Sequence, residues 1–453
     1  MFTMKDLFAG ARDEAIIDTR LRTDVYKYIM QYFARKMGKH NTQVVFGLTN
    51  RNPEMRLADV IPEAYLREQL DVVKSMMMTP AQASFIQGMT VNDEGKQTFM
   101  YPDASYTNFM LGQTMSDYNL EMRDGQFDLT FSGTWFGDQN SASHWEIPAM
   151  AIISESYVYW YLKRKLEANE ITQSEIAAVF AEAYQRVVAS AQTFRDADGL
   201  PTFAHFGLRR ATSQAWMYTG LDIIADICPD NCIGASDVQL MFDDGKSNPI
   251  GTRAHEAAMV WATLGPDTDD WLRESQFDLD INWGREMPRP LRILLPDCFG
   301  SEQYYQHAPA EIARMHAGVR IDSMETADHD PLYLQWLLEQ SVDPKTQIVI
   351  PSDGQNAKKF VPEYQQFDAQ YRALSAGTGG MWTNDIKGLL ADPLFRTPNI
   401  VIKSQYANGR PCTKIGDAPN GGKVTGVDSE NNARYIRAFS AAGWKEHSGQ
   451  LAA

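Results

Sequence analysis

The first 135 residues alternate short apolar runs with polar turns. Three runs have the composition of β-strands: 42–48 (TQVVFGL), 97–103 (QTFMYPD) and 127–136 (FDLTFSGTWF). Helix-like stretches separate them, and neither a helical nor a strand period dominates the region. The pattern therefore predicts a mixed α+β N-terminal part.

From about residue 145 the pattern becomes regular. Residues 174–193 predict a long amphipathic helix with Ser174 as its N-cap. Apolar runs follow at 202–207, 231–236, 292–297, 318–323, 347–354, 371–380 and 399–404, and helix-like segments at 255–265, 330–342 and 356–367 lie between several of them. Strand, turn and helix in repetition predict a parallel sheet, and about six such units favour a barrel over an open sheet.

Reactive side chains lie at or just after the ends of these apolar runs. They are Arg209, Arg210, Ser236, Asp297, Asp322, Asp353 and Thr378. Barrel enzymes place their sites at the carboxyl ends of their strands. Strands also end in polar turns for purely structural reasons, so these positions are candidates for a site.

Charge and composition exclude several classes of protein. The chain has 453 residues and a net charge of −16, which argues against a nucleic-acid partner because binding to the phosphate backbone needs a basic face. Four scattered cysteines favour free thiols over disulfides or a zinc site. The segment 251–259 (GTRAHEAAM) has Met where HExxH needs its second His, so no metal held by such a motif is predicted. The charged start and the absence of a long apolar stretch predict a cytoplasmic protein with no membrane partner.

Two glycine-bearing turns and one basic turn suggest an anionic ligand. SAGTGG (375–380) and SDG (352–354) follow neighbouring runs and could present backbone N–H groups to one sugar phosphate, although tight turns also need glycine. In HFGLRRA (205–211), Phe206 could stack on a flat ring while Arg209 binds a carboxylate or phosphate. The alternative is a core Phe beside solvent-exposed arginines.

Nine short segments occur in one order along the chain. They are TDVYK (23–27), WEIPAMAIISE (145–155), HFGLRRA (205–211), IGASD (233–237), GTRAHEA (251–257), VRIDS (319–323), PSDG (351–354), SAGTGGMWTND (375–385) and NIVIKSQYANGRPCTKIGD (399–417). Together they resemble the nicotinate phosphoribosyltransferase family, whose sister is nicotinamide phosphoribosyltransferase. No single segment is diagnostic, but nine in the family order span nearly the whole chain.

The resemblance implies a fold and a reaction. The fold would be an α/β protein with an incomplete parallel α/β barrel over 146–399 and an α+β domain formed by 1–145 and the tail 400–453. Homodimers would share their active sites. Nicotinate and phosphoribosyl pyrophosphate would give nicotinate mononucleotide and pyrophosphate in NAD salvage. Mg²⁺ would neutralise the pyrophosphate, and orientation and charge stabilisation would contribute most of the catalysis.

The resemblance also implies roles for the matching residues. Tyr26 of the partner subunit and Phe206 would sandwich the pyridine ring. Arg209, helped by Arg320, would hold the acid group and a nearby phosphate, and Asp322 would bind ribose hydroxyls. The 5′-phosphate and the neighbouring ribose would contact Asp353, Gly354, Gly377 and Thr378.

His255 matches the histidine that ATP phosphorylates in this family. ATP would therefore be a co-substrate, and its hydrolysis would drive an otherwise nearly balanced equilibrium toward the mononucleotide. No tightly bound organic cofactor is implied. The family's DSGDP segment reads DSMET at 322–326, which alters the ribose and pyrophosphate side of the site.

The turn at 233–237 bears on the choice between acid and amide. Enzymes that use nicotinamide carry Asp as the third residue of a GTD-like turn, whereas nicotinate enzymes carry Ser. Ser236 holds that position here, and a carboxylate substrate would be tolerated by Ser and repelled by Asp. A shift of one residue would place Asp237 there instead. Nicotinamide as substrate, or an inactive nucleotide-binding relative, are the alternatives.

Overall fold

The computed structural model describes residues 2–417 and 424–445. Its strands are β1 (Gln43–Asn50), β2 (Thr90–Asp93), β3 (Lys96–Phe99), β4 (Thr114–Met115), β5 (Asp117–Arg123), β6 (Gln126–Thr134), β7 (Asn140–Ser141), β8 (Thr202–His205), β9 (Cys232–Ala235), β10 (Ile293–Leu294), β11 (Gly318–Ile321), β12 (Ile348–Pro351), β13 (Ala373–Thr378), β14 (Ile400–Ala407) and β15 (Arg410–Pro411).

Helices surround these strands. They are α1 (Met4–Leu7), α2 (Tyr26–Lys36), α3 (Leu57–Val60), α4 (Glu63–Ser75), α5 (Pro80–Gly88), α6 (Ser105–Gly112), α7 (Glu146–Glu167), α8 (Gln173–Arg195), α9 (Gln214–Ile227), α10 (Val238–Asp244), α11 (His255–Trp261), α12 (Asp269–Glu286), α13 (Ser301–His307), α14 (Ala310–Met315), α15 (Thr326–Glu339), α16 (Ala357–Phe367), α17 (Gly380–Thr383) and α18 (Ser429–Ala438). Within the described ranges, none has the length and apolar character needed to cross a membrane.

One sheet is antiparallel, with strand order β15-β14-β1-β6-β5. In β6 the side chains of Phe127, Leu129 and Phe131 are buried, and the residues between them are more exposed, as expected of a sheet with one covered face. Strand β14 comes from the C-terminal tail and pairs with β1 along its length. The apolar run at 399–404 therefore extends the N-terminal sheet. The domain limits at 145/146 and 399/400 stay a prediction, and residues 446–453 of the tail lie outside the described part of the chain.

The other large sheet is parallel, with strand order β10-β11-β12-β13-β8-β9. Because β13 pairs with β8, this order follows the chain around a ring that is open between β9 and β10. The prediction of an incomplete parallel barrel is confirmed. The carboxyl ends of these strands meet at one rim, where parallel-barrel enzymes bind their ligands.

The N-cap of helix α8 differs from the prediction. The helix begins at Gln173, and the cap is Thr172 in an extended conformation, so the prediction of Ser174 was wrong. The Thr172 hydroxyl accepts from the Glu175 N–H at 3.2 Å, and the Glu175 carboxylate accepts from the Thr172 N–H at 2.8 Å. This reciprocal pair satisfies two N–H groups at the helix start.

Candidate active site

A cavity of about 1640 Å³ opens at the carboxyl ends of the barrel strands. Ten of the eleven residues predicted for the site line it: Tyr26, Phe206, Arg209, His255, Arg320, Asp322, Asp353, Gly354, Gly377 and Thr378. These residues are separated by up to 352 positions in the sequence, and β8, β11, β12 and β13 bring most of them together. The remaining predicted residue, Ser236, is not part of the wall.

The cavity wall is strongly basic although the chain is acidic. Among the described residues, ten Lys and Arg side chains line it: Arg51, Arg186, Arg209, Arg210, Lys246, Arg320, Lys358, Lys387, Lys403 and Lys414. The described part of the chain contributes four carboxylates to the wall: Glu146, Asp322, Asp353 and Asp385. Because the chain as a whole has a net charge of −16, anionic ligands are attracted to this basic cavity rather than to the acidic outer surface.

His255 begins helix α11 and lies in a buried charge cluster. Its Nε2 is 2.7 Å from Asp297 Oδ1 and 2.8 Å from the Lys414 ammonium, and the ammonium donates to Asp297 Oδ2 at 2.8 Å. Its Nδ1 is 3.7 Å from Asp322 Oδ2. Burial lowers the pKa of His255 to about 4, and Lys414 adds to this, although Asp297 opposes it. His255 is therefore a neutral imidazole at neutral pH.

The carboxylates around His255 are ionised. Burial by itself would raise the pKa of Asp297, but the Lys414 ammonium and the hydrogen bonds from His255 and Lys414 hold it well below its usual range. The pKa of Asp322 is also lowered, because Arg320 and Lys414 outweigh the effect of burial. Ser352 donates its hydroxyl to Asp322 Oδ1 at 2.6 Å and so fixes that carboxylate at the cavity wall.

The altered DSMET segment keeps a polar contact with this cluster. The Ser323 hydroxyl is 2.8 Å from Asp297 Oδ2 and 3.0 Å from Asp417 Oδ2. Its one hydrogen can serve only one of them at a time. Asp417 belongs to the tail and also accepts from the Ser301 N–H at 2.5 Å. The segment thus joins the barrel to the tail beside His255.

The glycine-bearing turns border the cavity as predicted. Gly354 follows β12 with φ of 61°, a conformation that favours glycine. A Cβ on Gly379 would lie 2.6 Å from the Phe206 carbonyl oxygen, so this position also needs glycine. The Thr378 hydroxyl is already occupied, because it donates to the Ala204 carbonyl at 3.2 Å and accepts from Trp382 at 2.8 Å. The backbone of Thr378 is therefore more available for binding a ligand than its hydroxyl.

Tyr26, Phe206 and Arg209 all line the cavity, and Glu146 lies beside both Tyr26 and Arg209. Tyr26 begins α2, is 5% exposed and donates its hydroxyl to Glu146 at 3.1 Å. The Tyr26 of the chain itself lines the cavity, and the assignment of Tyr26 to the partner subunit stays a prediction. The Val25 N–H donates to the Ser236 carbonyl at 2.7 Å, which ties the start of α2 to the turn after β9.

Ser236 lies behind the wall. It is 1% exposed, and its hydroxyl donates to Asp24 Oδ1 at 2.5 Å. The prediction that Ser236 faces the base is therefore corrected, since it contacts Asp24. Asp237 is also 1% exposed, and it pairs with Arg22 at 3.0 Å. Neither residue of the turn lines the cavity.

The sequence did not single out several charged residues of the site. Lys27 is fully buried and pairs with Glu146 at 2.7 Å and Glu256 at 2.5 Å. Burial and the nearby Lys414 lower the pKa of Lys403 to about 8. Lys403 and Lys414 lie inside the segment 399–417, but His255 is more than 140 residues away, and no periodicity links such distant positions.

Comparisons with known proteins identify the family of the chain. Profile models of the nicotinate phosphoribosyltransferase (NAPRTase) family match residues 202–440, and those of its N-terminal domain match residues 21–154. The fold is similar to that of nicotinate phosphoribosyltransferase from Vibrio cholerae, with a TM-score of 0.77 and 20% identity over 98% of this chain and 99% of the other. It is also similar to that of nicotinate phosphoribosyltransferase from Porphyromonas gingivalis, with a TM-score of 0.76 and 19% identity over 93% and 99%.

The family match covers more than half of the chain, and the cavity is lined by ten of the eleven residues that the resemblance implied. The chain belongs to the nicotinate phosphoribosyltransferase family and is a phosphoribosyltransferase.

Proposed function

We propose that this chain joins nicotinate to phosphoribosyl pyrophosphate and releases nicotinate mononucleotide and pyrophosphate. The observation that carries the proposal is the basic cavity, which combines two aromatic rings and an arginine with glycine turns at the barrel rim. Both substrates are anions. The aromatic rings and the arginine suit the pyridine ring and carboxylate of nicotinate, and the glycine turns suit the phosphates of phosphoribosyl pyrophosphate. The wide cavity has room for the two to lie side by side.

The base would bind at Tyr26, Phe206 and Arg209. The two aromatic side chains would contact the pyridine ring, and the guanidinium would hold the carboxylate. Glu146 lies 3.5 Å from Arg209, but it is also paired with Lys27, which offsets its charge. Burial alone would raise the pKa of Glu146, yet Lys27 and Arg209 lower it to about 2. It therefore stays an ionised anchor for Arg209.

The sugar phosphate would bind at the glycine turns. Backbone N–H groups near Gly354 and Gly377 suit the 5′-phosphate. Asp322 would accept hydrogen bonds from ribose hydroxyls, and Arg320, which lies 3.4 Å from it, would contact the pyrophosphate. The base would then lie next to C1 of the ribose.

The transfer needs little acid–base chemistry. The bond between C1 and the pyrophosphate oxygen breaks, and pyrophosphate leaves with the electron pair. The ring nitrogen supplies its lone pair to C1, and the pyridine becomes a cation. Positioning of the two substrates and charge stabilisation by the cavity wall would supply most of the rate enhancement.

Mg²⁺ fits the cavity-facing carboxylates better than the His255 cluster. Ligand atoms of His255, Asp297 and Asp322 lie within 4.8 Å of one another, but the Lys414 ammonium already contacts two of these residues. Asp322 and Asp353 line the cavity and would hold the ion together with phosphate oxygens. When bound, the ion would neutralise the charge of the leaving pyrophosphate.

ATP would phosphorylate His255. The neutral imidazole can donate its Nε2 proton to Asp297, and Nδ1 then keeps a lone pair on the side of Asp322. Attack of Nδ1 on the terminal phosphorus would release ADP, and the imidazole would carry the phosphoryl group until water removes it. Lys414 and Lys403 would stabilise the added negative charge. The ATP coupling and the homodimer rest on the resemblance.

The amide as substrate is less well supported. It would need a carboxylate of the turn after β9 at the base, and Asp237 is instead buried against Arg22. An inert relative would have no need for a buried, neutral His255 beside an ionised Asp322 at one cavity.

Synthesis with and without ATP tests the proposal. The purified protein would receive phosphoribosyl pyrophosphate, Mg²⁺ and nicotinate, and products would be separated by chromatography. We expect nicotinate mononucleotide with a yield that ATP increases, and we expect His255→Asn to lose only the increase. His329→Asn is the control, since His329 is equally buried but contacts Tyr305 away from the cavity wall. No mononucleotide under either condition would contradict the proposed function.

A further inference from the structure

The turn after β9 and the start of α2 are joined by hydrogen bonds and an ion pair behind the proposed base site. The Val25 N–H donates to the Ser236 carbonyl at 2.7 Å, and the Val238 N–H donates to the Thr23 carbonyl at 3.0 Å. Arg22 and Asp237 add an ion pair at 3.0 Å. These contacts place Asp24 directly opposite the turn, where it is 1% exposed.

The two oxygens of Asp24 have different neighbours. Oδ1 accepts from the Ser236 hydroxyl at 2.5 Å. Oδ2 has no hydrogen-bond partner among the described residues and lies 3.8 Å from Nε of Arg209. Such a buried carboxylate oxygen is costly unless a cation faces it. Arg209 is that cation, and its side chain is 40% exposed toward the cavity.

We propose that Asp24, fixed by Ser236, is the positioning residue that orients Arg209 for the acid group of the base. This inference rests on the proposed function, and it assigns to Asp24 a role in the preference for nicotinate over nicotinamide. Asp24 holds the Nε side of the guanidinium, and Glu146 lies 3.5 Å from Nη1. A guanidinium held at two points keeps its remaining N–H groups in a fixed plane, which suits a carboxylate.

Ser236 influences the choice of base without touching it, because its hydroxyl fixes Asp24 and Asp24 fixes Arg209. A carboxylate introduced at position 236 would lie against Asp24 in a buried place, where two like charges repel strongly. Nicotinate binding would then fail because Arg209 loses its orientation.

Steady-state kinetics of Asp24→Asn, Ser236→Ala and the double variant test the proposal. Asp24→Asn should raise KM for nicotinate roughly tenfold and change kcat and the KM for phosphoribosyl pyrophosphate little, because the loss concerns binding of the acid group. Preference for nicotinate over nicotinamide should fall by the same factor. Ser236→Ala should change the same constants in the same direction but less. The double variant should match Asp24→Asn alone, since both residues act through one contact.

Controls separate positioning from folding. Asp330→Asn removes another buried carboxylate, which accepts from Tyr371 at 2.7 Å and does not line the cavity, and it should leave both KM values unchanged. If Asp24→Asn does not fold, Ser236→Ala retains the charge and carries the test. An unchanged KM for nicotinate, or an equal rise in both KM values, would overturn the proposal. A wild-type protein that makes no mononucleotide would instead overturn the proposed function.

Discussion

Replacing Asp297 by Asn removes the charge that holds His255 and Lys414 together. Asp297 Oδ1 is 2.7 Å from His255 Nε2, and Oδ2 is 2.8 Å from the Lys414 ammonium. When Nδ1 of His255 attacks a phosphorus atom, positive charge develops on the ring, and the carboxylate stabilises it. An amide of the same shape keeps a hydrogen bond but supplies no charge. The variant should therefore be slow in the ATP-dependent step while it still binds both substrates.

The size of this effect follows from the contact. A hydrogen bond to a charged group contributes about 1.5–3 kcal/mol, and each 1.36 kcal/mol corresponds to a tenfold change in rate. We expect Asp297→Asn to slow phosphorylation of His255 roughly 10- to 150-fold.

Rapid-quench experiments with radiolabelled ATP measure that step, because the phosphoryl group on histidine is labile to acid and stable to base. Synthesis of mononucleotide without ATP is the internal control and should fall much less. Asp330→Asn should phosphorylate at the wild-type rate. Phosphorylation of Asp297→Asn at the wild-type rate would refute the reasoning, because Asp297 would then contribute no charge stabilisation to His255.

Three further predictions follow from the structure. Burial raises the pKa of Glu155 to about 7, although hydrogen bonds from the Ala9 and Gln214 N–H groups oppose this shift. The stabilising contribution of Glu155 is therefore complete below about pH 4.5 and is lost as pH rises through 7. The Tm of Glu155→Gln relative to wild type should increase as pH rises from 5 to 8, and a Tm difference that is independent of pH would contradict this. Thr172→Ala should cost about 1 kcal/mol in thermal unfolding with unchanged activity, whereas Ser174→Ala should cost almost nothing. Co-expressed Tyr26→Ala and Arg209→Ala chains should not restore each other's activity, because Tyr26 lines the cavity of its own chain. Recovery of activity would show a shared site.

Much of the fold was accessible from the sequence because its signals are local. Each barrel strand is a short apolar run followed by a polar turn, and the reactive residues follow the runs at their carboxyl ends. The N-cap of α8 was misplaced because Thr172 and Ser174 are both good caps, and only the reciprocal bond with Glu175 distinguishes them.

The site was less accessible where it depends on contacts between distant elements. Ser236 is the third residue of its turn, as the sequence comparison required. Only the three-dimensional arrangement shows that its hydroxyl donates to Asp24 and does not face the cavity. The ammonium of Lys414 reaches His255 across 159 positions, and no spacing rule could predict that contact. The Val25 N–H that ties the start of α2 to the turn after β9 joins positions more than 200 residues apart, and no sequence pattern indicates that contact.

Competition between the two bases tests the central claim most directly. The purified protein would receive phosphoribosyl pyrophosphate, Mg²⁺, ATP and equal concentrations of nicotinate and nicotinamide, and mass spectrometry would quantify both mononucleotides. We predict that nicotinate mononucleotide dominates, because Arg209 faces the cavity and Asp237 does not. Mainly nicotinamide mononucleotide would contradict the assignment of Arg209 to the acid group, and no product from either base would contradict the proposed reaction.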